Sequence, residues 1–249
     1  TAEDHLARAA LVKEISRKTG RTVGIMCDLQ GPKIRVGKFK EGKITLAKGQ
    51  KFVLDATCEL GDDERVGLDY KELPRDVAEG AVLLLEKLSP AINQIDSSSG
   101  ALGNATAGVV EKMVPLIAAA PVPRRVREKW LERLLDAIQE DDPPYIESLG
   151  EHWGALCADP ALASHWADQL LPLMQHVMAD RRKGTYAYAK SGTLCYSALF
   201  HAGRFDDLLA VLALDPKPYW RDQQWAAKAM AARGDVDGAV NLMEALRSP

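Results

Sequence analysis

Apolar positions along the first 20 residues fall at Leu6, Ala9, Ala10, Val12 and Ile15. That spacing predicts a helix ending near Gly20, a natural C-terminal cap. The pattern then changes. Residues 22–27 form a short apolar run suited to a buried strand. From residue 36 onward, apolar runs at 43–46, 52–56, 65–68 and 81–85 are separated or preceded by Glu41-Gly42, Lys48-Gly49 and Glu79-Gly80. Glycine dipeptides of this kind mark turns, so this stretch predicts a small β-rich unit.

Beyond about residue 88 the strand signals stop and the period becomes helical. Residues 97–103 are rich in Ser and Gly and predict a loop or linker. Val126, Trp130, Leu134 and Ile138 then recur every four residues, with Leu131 and Leu135 widening the stripe. Pro143 and Pro144 precede a new helical pattern in Ile146, Leu149, Trp153 and Leu156. Asp159-Pro160 has the form of an N-cap followed by a first-turn proline, and Leu162, Trp166, Leu170 and Leu173 follow it. Pro172 is expected to kink or end that helix.

The tail contains an internal repeat. Leu199, Ala202-Gly203-Arg204, Asp206, Leu209 and Leu212 correspond to Met230, Arg233-Gly234-Asp235, Asp237, Val240 and Met243, 31 residues later. Each half predicts a helix, a glycine turn and a second helix, a unit that resembles a tetratricopeptide-type hairpin but has a shorter period. One such pair cannot bury its apolar face alone, so neighbours stack. The fold expected is α+β: a helix, a strand and a β-rich unit over residues 1–87, a junction at 88–105, and an α-helical hairpin array over 106–249.

Composition narrows the function. Lys and Arg number 32 against 35 Asp and Glu, a net charge of -3. A near-neutral balance argues against a nucleic-acid-binding protein, which needs a basic face. No apolar run approaches the roughly 20 residues that span a bilayer. The chain opens with Thr1 and no signal-peptide pattern follows, so a cytoplasmic location is expected. Cys27, Cys58, Cys157 and Cys195 are scattered and read as free thiols in a reducing compartment.

Other constellations fall short of a chemical site. Residues 37–44 approach a phosphate-binding loop, but Ile44 stands where Ser or Thr should hold magnesium. His165 and His176, or His152 with Cys157, lack a complete metal-ligand spacing. Ser97, Ser98 and Ser99 have no His/Asp partners at a catalytic spacing. Arg124, Arg125, Arg127 and Lys129 read as a solvated helix start, and the tryptophans as core, with one or two lining a groove.

One segment is more specific. Gly24-Ile25-Met26-Cys27-Asp28-Leu29-Gln30-Gly31-Pro32-Lys33-Ile34-Arg35-Val36-Gly37 resembles the hinge of pyruvate kinases, where a barrel strand feeds into a mobile lid. Residues 1–5 and 38–85 resemble the flanking family text, closest to bacterial forms. The resemblance implies phosphoryl transfer from phosphoenolpyruvate to ADP, with potassium, magnesium and ADP/ATP as cofactors. It implies Asp28 and the Leu29 carbonyl as potassium ligands, a role that suits hard oxygens at a strand end. It implies Arg35 as a nucleotide-phosphate contact, which suits a guanidinium fork.

The resemblance fades at Glu86-Lys87-Leu88. The family's catalytic Lys, its acidic divalent-metal ligands and its closing threonine find no counterpart, so a chain inactive by itself is expected. The alternative is a non-enzymatic helical scaffold for a protein or peptide, carrying the kinase-like piece as a fusion or truncated-gene remnant.

Overall fold

The computed structural model describes residues 2–26, 33–94, 101–185, 188–216 and 219–247. The chain divides into two compact units, Thr1–Lys71 and Glu72–Pro249.

The first unit opens with α1, Ala2–Thr19. Glu3 and Asp4 at its start and Arg17 and Lys18 at its end suit the helix dipole. Gly20 follows with φ 66°, the left-handed cap expected there. The stripe that predicted α1 is uncovered: the helix buries none of its residues, and Leu6 is 71% exposed. Residues 22–26 do not form the expected strand, and Val23, Ile25 and Met26 are exposed. A buried parallel strand needs a neighbour on each side, and among the described residues this run pairs with none.

The β component is smaller than the alternation suggested. Strands β1 (Lys38–Phe39) and β3 (Leu60–Gly61) pair in parallel, as do β2 (Val53–Leu54) and β4 (Arg65–Val66). Residues 43–46 form no strand. Val66 and Leu68 are the buried apolar side chains here, and Gly67 lets the layers close. A Cβ at Gly67 would lie 2.1 Å from the Cys58 carbonyl oxygen.

The second unit is helical throughout its described residues. Its helices are α2 (Leu73–Ile92), α3 (Ala101–Ala118), α4 (Arg124–Glu140), α5 (Trp153–Cys157), α6 (Pro160–Arg182), α7 (Gly192–His201), α8 (Phe205–Leu212), α9 (Trp220–Ala232) and α10 (Val236–Arg247), with a 3-10 turn over Glu147–His152. Helix α2 corrects two expectations. Residues 81–85 are helix rather than strand, and residues 88–92 and 101–105, expected in a junction, lie in α2 and α3. The reason is the period. Ala78, Ala81, Val82, Leu85, Ser89 and Ile92 form one buried stripe against α3 and α4. A five-residue apolar run fits either period, and helical neighbours decide it. Arg133 of α4 ties the arrangement by pairing with Glu79 and Glu86, two turns apart on α2, and the Trp130 indole N–H donates to Glu79.

Helix α6 begins as anticipated, with the Asp159 carboxylate accepting from the Ala161 N–H at 3.1 Å. It runs through Pro172 without ending, because Leu170, Met174, Val177 and Met178 are buried on either side of the missing N–H. Trp153 and Trp166 meet edge to face at 5.2 Å inside the core. Gly154 lets α5 cross α7 closely, since a Cβ there would lie 2.4 Å from the Ser197 carbonyl oxygen. The two tail hairpins turn where the glycines predicted. Gly203 and Gly234 have φ 72° and 91°, and Arg204 and Asp235 donate back to the Leu199 and Met230 carbonyls.

Candidate functional site

Of the three residues singled out from the sequence, Asp28 and Leu29 lie outside the described residues. Arg35 is described and exposed. Its backbone is pinned on both sides by Asp69. The Arg35 N–H donates to Asp69 Oδ1 at 2.7 Å, and the Asp69 N–H donates to the Arg35 carbonyl at 3.0 Å. One step on, the Gly37 N–H donates to the Gly67 carbonyl at 2.7 Å, and Val36 bridges Leu68 in antiparallel sense. The result is a guanidinium on a fixed backbone, with no side-chain hydrogen bond among the described residues. Such a fork can take two phosphate oxygens.

Elsewhere in the first unit, Asp62 accepts from the Glu64 and Arg65 N–H groups and from Lys40 Nζ. The Glu64 amide first, then Lys40, hold its carboxyl below the usual range. Lys40 is thereby engaged, and residues 37–44 form no helix-opening phosphate loop. No three His, Cys, Asp or Glu side chains come together to hold a metal among the described residues.

The helical unit holds a cavity of about 320 Å³ between α6, α7 and α9, lined by Arg181, Lys190, Tyr196, Tyr219, Arg221 and Asp222. Its cations are engaged. Arg181 pairs with buried Asp215 at 2.5 Å, Arg221 reaches Glu151 through two bonds of 2.6 and 2.8 Å, and Lys190 donates to the Gln139 and Asp141 carbonyls. Burial pushes the Asp222 carboxyl above its usual value, with Arg181 and Arg221 opposing the shift. These contacts join residues 34 to 70 positions apart, and nothing local in the sequence signalled them.

Cys157 and Cys195 are buried free thiols, and burial pushes both up to about 12, which makes them unreactive. Arg127 corrects the solvated reading of its cluster. It is buried and donates to the carbonyls of Ile117, Ala118, Ala120 and Leu156. Trp220 is the tryptophan that lines a groove, and Trp130, Trp153, Trp166 and Trp225 are core. No helix among the described residues is long and apolar enough to cross a membrane.

Comparison with known proteins agrees with the resemblance read from the hinge. Residues 1–108 match the family model for the pyruvate kinase barrel domain. The chain is 56% identical to the pyruvate kinase of Haemophilus influenzae over 88 residues, 34% of this chain and 18% of that protein. It is 58% identical to pyruvate kinase II of Salmonella typhimurium over 86 residues, with the same shares. The pyruvate kinase of Geobacillus stearothermophilus is 37% identical over 100 residues, 39% of this chain and 17% of that protein. A partial pyruvate kinase segment therefore occupies about the first third of the chain. The chain spans about 18% of the length of the first two relatives. No solved structure matches it.

Proposed function

We propose that this first third is a pyruvate-kinase hinge and partial lid that does not by itself transfer a phosphoryl group from phosphoenolpyruvate to ADP, joined to a helical scaffold. One observation carries the reading: from Glu72 onward the described chain is helix on helix, where a parallel barrel would need further strands. Phosphoryl transfer depends on cations and donors converging on the moving group, and a barrel draws them from several strand ends. In this reading Asp28 and the Leu29 carbonyl face potassium, and Arg35 contacts a nucleotide phosphate. Magnesium, ADP and phosphoenolpyruvate would be engaged only in a completed site.

A lactate-dehydrogenase-coupled assay with phosphoenolpyruvate, ADP, magnesium and potassium should give no ADP-dependent pyruvate, and turnover would overturn the proposal. Should Arg35 still hold ADP, melting will rise with the nucleotide in the native chain and not in Arg35→Ala, since a ligand bound only to the folded state stabilises it.

A second reading rests on the stacked hairpins of the tail. In it residues 88–249 bind a protein or peptide, and the kinase-like piece is a fusion or truncated-gene remnant. A continuous, expressed reading frame across codons 80–90 in independent isolates would count against an artefact of the reading frame.

A further inference from the structure

The cavity between α6, α7 and α9 holds two polar groups that the surrounding chain does not satisfy. Tyr196 lines it and is 1% exposed, yet its hydroxyl makes no hydrogen bond to a described residue. Unlike the unpartnered indole nitrogens of Trp153 and Trp166, that hydroxyl is not sealed off and opens to the cavity. The Asp222 carboxylate lines the same space, is half-buried, and likewise accepts no hydrogen bond from a described residue. The two are neighbours: after burial, the Asp222 charge is the next cause that pushes the Tyr196 phenol above its usual pKa. Buried polar groups are ordinarily paired, and those that are not call for a partner.

Charge decides what that partner is. The cavity and the carboxylates tied to its cations set Arg181, Lys190 and Arg221 against Glu147, Glu151, Asp215 and Asp222. Arg181 pairs with Asp215, Arg221 with Glu151, and Lys190 with backbone carbonyls, while Asp222 forms no ion pair among the described residues. One negative charge is left over. Water can fill the hydrogen bonds but cannot neutralise that charge, and an anion would add to it. The walls suit an organic cation. Tyr188 and Tyr219, 53% and 60% exposed, flank the mouth, Tyr196 stands at the floor, and the Met174 thioether lines the side. Aromatic faces attract cations.

We propose that this cavity binds a primary ammonium group on an unbranched aliphatic stem, with the ammonium between Asp222 and Tyr196 and the stem leaving between Tyr188 and Tyr219. The N–H donors of an ammonium meet the Asp222 carboxylate and the Tyr196 hydroxyl oxygen, the two groups left without partners. A volume of about 320 Å³ falls at the small end of organic-ligand sites and exceeds what the ammonium alone fills, so the stem is part of the ligand. A free alkylamine and the lysine side chain of a peptide share this chemistry. The lysine would supply the partner of the scaffold reading above, and the site itself is independent of nucleotide binding at Arg35.

Calorimetric titration of the full chain at pH 7 with n-butylammonium chloride tests this. The capped peptide acetyl-Gly-Lys-Gly-amide forms a second arm, and n-butanol and sodium butyrate serve as neutral and anionic counterparts. Saturable binding of a cation, and none of butanol or butyrate, is expected. Asp222→Asn should weaken it about tenfold or more, and Tyr196→Phe, which removes only the hydroxyl, about threefold, with helical circular dichroism retained in both. Binding of the peptide identifies a lysine side chain as the carrier, and binding of butylammonium without the peptide identifies a free amine; either supports the site. No binding of either cation, binding of butanol or butyrate as tight as theirs, or an affinity indifferent to both substitutions would each overturn the proposal.

Discussion

Replacing Arg127 with methionine tests the buried cation in the helical unit. Its Nη1 donates to the carbonyls of Ile117 at 2.9 Å and Leu156 at 3.0 Å, and its Nη2 to those of Ala118 at 3.3 Å and Ala120 at 2.7 Å. These are last-turn carbonyls of α3 and α5 and the turn after α3, groups that a helix leaves unpaired and that carry partial negative charge. Ile117 and Ala120 keep a second partner, accepting the Ala120 and Val122 N–H groups. Removal of the guanidinium thus leaves chiefly the Ala118 and Leu156 carbonyls short of a donor.

At about 1–3 kcal/mol for each buried group left unmade, the gross cost is about 2–6 kcal/mol. Part is recovered, because burial of the cation is itself unfavourable and already lowers the guanidinium's pKa. A net loss of about 2–4 kcal/mol follows, since methionine retains most of the stem's packing. Urea unfolding followed by tryptophan fluorescence and circular dichroism measures it. Arg125→Met, at an exposed neighbour, serves as control and should stay within about 0.5 kcal/mol. Arg127→Lys should fall between the two, since an ammonium cannot span four carbonyls. Equal midpoints for Arg127→Met and Arg125→Met would refute the capping argument.

Helix α2 makes a prediction that a strand would reverse. Leu85→Ala should cost about 2–5 kcal/mol and Leu83→Ala, 49% exposed, well under 1, whereas alternation would bury both; urea midpoints decide. Gly203→Ala meets no atom within 4 Å and should lose only the roughly 1–2 kcal/mol of a left-handed residue, while Gly154→Ala should lose more through collision with α7. Asp222 is held above its usual pKa by burial, so the folded state binds its proton more tightly and stability falls as pH rises from about 4 through the raised value. Asp222→Asn should therefore raise the urea midpoint at pH 7 and leave it unchanged at pH 3; an equal gain at both would remove titration as the cause.

Sequence alone determined the features that are local. The periodic stripes of α4 and α6, the Asp159 cap, the glycine turns at Gly20, Gly203 and Gly234, and the Gly31-Pro32-Lys33-Ile34-Arg35 signature each depend on residues a few positions apart. Only the tertiary structure decided the rest. The run 81–85 is too short to specify its own period, and packing of its stripe on α3 and α4 made it helix. Pro172 could not stop a helix whose apolar positions were buried on either side of it. Arg127 read as one of a solvated cluster because its four acceptors lie 7 to 29 residues away. Local pattern specifies what a segment can become, and the neighbours that remove it from water select which of those states is kept.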